Sequence, residues 1–160
     1  MSYVSENLMN DEEVLYQTRL HWMIYVPGML MLAAFVWFFS EALTAGKGSK
    51  DHAVWMFLLG VGCFVFGLGS LIRGWIERRT TEIAVTSKRT ITKTGLIKRE
   101  TMELNHQKVE SYAVDQSVLG RLLGFGTLLV TGTGGNTNRI KNVDSPMLFR
   151  EAAMGVADRA

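Results

Sequence analysis

The chain has 160 residues, 48% of them hydrophobic, with one cysteine, two prolines and a formal net charge of +2. A mean hydropathy of +0.12 excludes a disordered chain, and the cysteine and proline counts exclude a disulfide scaffold and a collagen-like chain. The averages hide two splits. Apolar residues gather in two runs, and residues 1–72 carry three basic against six acidic side chains while residues 73–160 carry fourteen against nine.

Residues 1–21 form an acidic N-terminal segment with two readings. Asn10 followed by Glu13 suits a helix cap. Val14, Tyr16, Thr18 and Leu20 alternate as a strand does. Both readings stay open at this point.

Trp22–Leu43 then holds a single charge, Glu41, at its far end, and Ala53–Ile72 holds none. About 20 apolar residues, each rising about 1.5 Å, are what a helix needs to cross the hydrocarbon core of a bilayer. The acidic residues ahead of the first run, and its length, argue against a cleavable signal peptide. Residues 22–72 are therefore predicted to be a transmembrane hairpin, with helices over 22–43 and 53–72 joined by the short loop Thr44–His52. A single soluble globule is excluded.

Both ends of a hairpin lie on one side. Arg19, Arg73, Arg78, Arg79, Lys88 and Arg89 flank the outer ends, against Lys47 and Lys50 in the loop, which predicts both termini in the cytoplasm. Trp22 and Trp75 fall at that interface and Trp55 at the other. In the second helix Gly60, Cys63, Gly67, Ser70 and Gly74 are spaced three and four apart, so small residues share one face. That face suits close packing on the first helix of the same hairpin, or on a second copy of the chain in a homo-oligomer. Cys63 reads as a small packing residue. No ionisable group falls mid-membrane, which argues against an ion or proton path through one hairpin.

Residues 73–160 have the texture of a small β domain. Strands are predicted over Thr81–Thr86, with Ile83 and Val85 on one face, and over Thr90–Thr94. A tight turn follows at Thr94-Gly95, and the return strand is Leu96–Leu104. Val109–Val114, Gly126–Thr133 and Arg139–Val143 are further strands, with a glycine-rich turn over Gly132–Asn138. Ser117–Gly124 breaks the alternation: apolar residues at 118, 119, 122 and 123, Ser117 as cap and Gly124 as stop read as a helical turn or two. Met147–Ala157, after Pro146, reads as a short C-terminal helix.

Several of these motifs together resemble the bacterial pleckstrin-homology (PH-like) domain family, also described as membrane-flanked domains. They are Thr86-Ser-Lys-Arg89, Thr94-Gly-Leu96, Val109-Glu-Ser-Tyr112 and Gln116-Ser-Val-Leu-Gly-Arg-Leu-Leu-Gly-Phe-Gly-Thr127. The resemblance covers about residues 74–145, and Thr86, Arg89, Gly95, Gln116, Gly120, Arg121, Gly124 and Gly126 carry it. Upstream, Glu12-Glu-Val-Leu-Tyr16 and His21-Trp22 ahead of a transmembrane pair are similar to members as well. Ile83 stands where an aromatic is common, and Thr90 where an aliphatic is common. The resemblance implies a bent antiparallel sheet closed into a half-barrel and capped by the C-terminal helix. It implies little chemistry, because the fold is a scaffold for many tasks. The expected class is thus an α+β membrane protein, with the transmembrane hairpin ahead of a cytoplasmic PH-like β half-barrel over 73–160.

Residue chemistry points away from catalysis. His21, His52 and His106 are separated along the pattern and read as interfacial or surface residues, with no metal-ligand spacing and no cofactor implied. No G-x-S-x-G nucleophile turn occurs. Glu100 and Glu103 lie beside Lys98 and Arg99 as a solvated face. The glycine-rich stretches Ala45–Ser49 and Gly132–Asn138 lack phosphate-loop spacing and read as turns. No nucleic-acid-binding motif accompanies the basic half, so nucleic acid is not an expected partner.

The basic flank of Arg73, Arg78, Arg79, Lys88 and Arg89 is the best binding signal. Each such cation gains about 1 kcal/mol beside an anionic leaflet, either as a topology signal alone or as a contact to lipid headgroups or an anionic partner. The expected function is a non-enzymatic, membrane-tethered interaction module in the bacterial cytoplasmic (inner) membrane, a scaffold or regulator binding a protein partner or the anionic lipid surface. The alternative is a small subunit of an oligomeric transport or channel-like assembly.

Overall fold

A computed structural model describes residues 7–9, 11–45, 50–95 and 100–157. The proposed Asn10 cap, the loop cation Lys47 and the basic pair Lys98 and Arg99 lie outside the described residues. The chain divides into two compact units: residues 1–21 with 77–160, and residues 22–76.

In the second unit a short 3-10 turn, Trp22–Tyr25, leads into helix α1, Val26–Ala45. Pro27 sits in the first turn of α1, where its missing N–H has no helical partner to lose. Helix α2 runs Lys50–Thr80, past both ends of the expected span 53–72. The onset of charge at Arg73 ends the apolar run but not the helix, which no proline interrupts. Asp51 in the first turn, and Arg78 and Arg79 in the last, suit the helix dipole. Trp22–Thr44 and Lys50–Thr80 are each long and apolar enough to cross a membrane.

The small-residue face packs inside this hairpin. Gly60, Gly67 and Gly74 are buried. A Cβ on Gly67 would lie 3.1 Å from Met31 and Leu32 and 3.2 Å from the Gly28 carbonyl. One on Gly28 would lie 2.8 Å from Leu71. Gly60 faces Phe35 and Phe38, and Gly74 faces Tyr25. The Phe35 and Phe64 rings meet across the two helices at 5.2 Å. Cys63 and Ser70 are half-buried.

The first unit is antiparallel β. Strands β1 (Val14–Thr18), β2 (Glu82–Thr86), β3 (Arg89–Thr94) and β4 (Glu100–Asn105) form one sheet in that order. Strands β5 (Val109–Asp115), β6 (Phe125–Gly132) and β7 (Thr137–Asp144) form the second. Helix α3 (Val118–Leu123) joins β5 to β6, and helix α4 (Pro146–Ala157) ends the module.

The N-terminal segment resolves as a strand, and it belongs to this module rather than standing apart. Strand β1 pairs with β2, Tyr16 opposite Val85 and Thr18 opposite Ile83. The chain then crosses to the other sheet. The Thr18 hydroxyl donates to the Asp144 carbonyl (2.6 Å), the Asp144 N–H to the Arg19 carbonyl (2.9 Å) and the His21 N–H to the Asn142 carbonyl (2.6 Å). Residues 14–21 thus fasten the two sheets together along one side.

Strand β2 departs from the expected one-faced pattern. Ile83, Ala84, Val85 and Thr86 are all fully buried, because the N-terminal residue Leu8 packs on Ala84 and Ile91 over the outer face. The core proper gathers Tyr112, Leu128, Val130, Ile140 and Val143. Phe149 of α4 is fully buried against it, its ring edge-on to Tyr16 at 6.2 Å and Tyr112 at 6.4 Å. A hydrogen bond of 2.6 Å between Thr90 of β3 and Tyr112 of β5 ties the sheets from within.

Candidate functional site

Three groups of residues in the β module need a physical account. The first surrounds Arg89. Its guanidinium bonds both carboxylate oxygens of Glu12 at 3.0 Å and Glu103 at 2.7 Å, and it donates to the Asn7 carbonyl. The Thr86 hydroxyl donates to Glu12 at 2.6 Å and accepts from the Arg89 N–H. Burial alone would raise the Glu12 carboxyl. Hydrogen bonds from Thr86, the Met9 N–H and Arg89 outweigh it and hold the carboxyl below its ordinary value. Arg89 was expected to face lipid or an anionic partner. Its side chain is only 14% exposed and is held by two carboxylates, so it anchors the N-terminal segment to the sheet.

The second group is the Gln116–Thr127 run, whose spacing follows from steric need. The Ser117 hydroxyl caps α3 by accepting from the Gly120 N–H at 3.1 Å. Gly124 stops it in the left-handed region, φ 77°. Gln116 donates to the Phe125 carbonyl at 3.0 Å. A Cβ on Gly120 would come within 2.6 Å of that same carbonyl, and one on Gly126 within 2.6 Å of the Gln116 side chain. The structure therefore brings Gln116, Gly120 and Gly126 together. Arg121 is exposed on α3. Gly95 occupies the left-handed region after β3, φ 88°.

The third group forms a cleft of about 260 Å³. Its walls are His106 and residues 109–112 of β5 on one side and Arg150 and Met154 of α4 on the other. His106 was expected at a surface; it is buried, 5% exposed, in the 3-10 turn His106–Lys108 between β4 and β5. Its Nε2 lies 2.8 Å from the Thr86 carbonyl. A carbonyl only accepts, so Nε2 donates to it, and a ring that carries its proton there presents Nδ1 as an acceptor. Among the described residues, His106 Nδ1 and Arg150 Nε are the buried side-chain atoms without a hydrogen-bond partner. Each such atom costs about 1–3 kcal/mol. Beside them, burial pushes the Tyr112 phenol up, with the Thr90 hydrogen bond acting the other way. Sequence periodicity carried no sign of this cleft, because its walls come from separated elements.

The other four cations of the expected basic flank are exposed. Arg73, Arg78 and Arg79 lie along the second half of α2, and Lys88 on the turn between β2 and β3. His21 is buried like His106, stacked on Phe125 at 5.3 Å, while His52 is exposed. Among the described residues no three His, Cys, Asp or Glu side chains gather as a metal site would require.

Two antiparallel sheets capped by a C-terminal helix, with a glycine-gated β5–α3–β6 connection, define a PH-like module. The family model described as bacterial PH domain matches residues 24–159, and the chain belongs to that family. The match takes in both apolar helices and most of the β module, and leaves out Glu12 and β1. PH domains are generally non-catalytic interaction modules. Neither the curated proteins nor the solved structures gave a match.

Proposed function

We propose that this chain is a membrane-tethered, non-enzymatic interaction module that holds an extended segment of a partner protein in the cleft between β5 and α4. The observation that carries this reading is the pair of orphaned polar atoms at that cleft. One is an acceptor, His106 Nδ1, and the other a donor, the Arg150 Nε–H. A peptide unit offers both complements at once, an N–H and a C=O. Strand β5 lies at the edge of its sheet, the position at which an added strand finds main-chain partners. Glu110, on the same cleft wall, offsets the Arg150 charge, which leaves the cleft without the excess of positive charge that a small anion needs. Arg150 and Met154, which wall the cleft, have long unbranched stems that can rotate to admit a ligand.

The tether is α1 and α2, read as crossing the bacterial cytoplasmic membrane with both termini on the cytoplasmic side by the excess of flanking cations. A second reading has support of its own: Arg73, Arg78 and Arg79 are exposed cations on α2 just beyond the apolar run and suit anionic headgroups, and Lys88 is exposed on the β2–β3 turn. The transport-subunit alternative loses its motive, since the glycine face is occupied within the hairpin.

A photocrosslinking residue at Ser111, in the cleft, and another at Thr133, on the exposed β6–β7 turn, test the reading in native membranes. A discrete protein adduct from position 111, absent from 133 and lost with R150A, supports it. Equal labelling from both positions, or labelling indifferent to R150A, refutes it. Anionic lipid that stays bound through purification and is lost with R78Q/R79Q/K88Q would support the headgroup contact instead.

A further inference from the structure

Helix α3 has a composition that a solvent-facing connection does not need. Among its six residues Val118 is 84% exposed, Leu119 62%, Leu122 81% and Leu123 39%. Val118 and Leu122 are barer than the most exposed apolar side chain described on α1 or α2, Phe66 at 76%. Only Gly120 turns inward, and Arg121 is the one charge. The steric logic of the connection uses Ser117, Gly120, Gly124 and Gly126, and none of the four apolar side chains takes part in it. A contiguous apolar surface of this kind marks a contact.

Its place in the fold says which contact. Helix α3 stops at Gly124, whose carbonyl accepts from the Ser145 N–H at 2.8 Å. The next residue, Phe125, lays its ring on His21 with 21° between the planes. The His21 N–H is held by Asn142, so this position is fixed within the module. His21 immediately precedes Trp22, where the first apolar span begins. The end of α3 is therefore pinned against the residue at which the chain leaves the β module for that span.

We infer that α3 is an interfacial helix: Val118, Leu119, Leu122 and Leu123 enter the acyl boundary of the bilayer, and Arg121 reaches back to the headgroups. No acidic side chain on α3 opposes an anionic leaflet. The inference rests on the reading of α1 and α2 as membrane-crossing. It adds a second, non-spanning membrane attachment to the chain.

The test uses the full chain in lipid nanodiscs, in a C63A background, with spin labels placed singly by V118C, L122C, T133C and F66C. Collision rates with oxygen, which concentrates in lipid, and with a water-soluble nickel chelate are compared at each site. The expected result is a several-fold higher oxygen-to-nickel ratio at 118 and 122 than at 133, approaching that at 66. If 66 is lipid-exposed and 118 and 122 match 133, the interfacial helix is overturned and the spanning reading stands. If 66 itself matches 133, the spanning reading fails and takes the inference with it. Protection of 118 and 122 from both reagents would mean a protein surface covers them, which also overturns it.

Discussion

Thr86 stands between two buried polar groups that are treated in opposite ways. Its hydroxyl belongs to the Glu12–Arg89 cluster, where both carboxylate oxygens of Glu12 are bonded. Its carbonyl accepts from His106, whose other ring nitrogen is bare, as is Arg150 Nε nearby. A closed cluster of satisfied groups specifies a structure, because each member is costly to remove. A cleft lined by residues with unsatisfied groups stores a cost that a ligand can relieve. The contrast separates the residues that build the module from those we assign to its use.

Breaking the closed side has the largest expected effect. E12A leaves the Arg89 guanidinium in a mostly buried place with Glu103 as its remaining carboxylate, and loosens the segment that carries β1. The cost is about 3–5 kcal/mol, read by denaturant titration of the purified chain in detergent. The same cluster makes stability depend on pH in one direction. The Glu12 pKa is lower in the folded chain than its ordinary value of 4.5, so the folded state binds fewer protons. Stability gained above pH 4.5 is then lost as pH falls through the folded pKa. E12Q should flatten that acid limb. An unchanged limb in E12Q would assign the acid sensitivity to other carboxylates.

Next in size is G120A. Its methyl would meet the Phe125 carbonyl at 2.6 Å, and backbone has to move to admit it. About 1–3 kcal/mol is expected, with α3 shifted rather than lost. Wild-type stability in G120A would mean that the close approach at Phe125 does not constrain this connection.

G67A tests the close approach of the two helices in the hairpin. The added methyl lies 3.1 Å from Met31 and Leu32, tight but against side chains that can give a few tenths of an ångström. About 1 kcal/mol is expected. Because the contact is within one chain, the effect should not vary with the protein-to-detergent ratio. A loss that grows on dilution would move this face to an interface between copies.

Much of this was legible in the sequence, for reasons that differ by element. The hairpin showed itself through apolar run length, and the β5–α3–β6 connection through Ser117, Gly120 and Gly124, since capping and left-handed turns demand particular residue types. Helix α2 continues beyond the 53–72 run, because hydropathy reports the apolar run and not helical continuity beyond Arg73. Sequence alone groups Arg89 with the exposed cations, because its partner, Glu12, lies 77 positions away. The cleft was invisible for the same reason: His106 and Arg150 are each unremarkable locally, and only tertiary packing brings their neighbours together while leaving one atom of each without a partner.

Arg150 itself offers the sharpest contrast with Glu12. Both are charged side chains reaching into the module, yet Arg150 Nε makes no hydrogen bond there. Truncating it removes a desolvated donor instead of breaking a bond. R150A should therefore not destabilise the fold as E12A does, because the relieved desolvation of the Nε–H, about 1–3 kcal/mol, opposes the packing lost with the stem, while the adduct formed from position 111 is abolished. Stability and partner binding would then divide between the two sides of Thr86. Should R150A cost as much as E12A, Arg150 would belong to the core, and the unsatisfied groups at the cleft could no longer be read as a binding site.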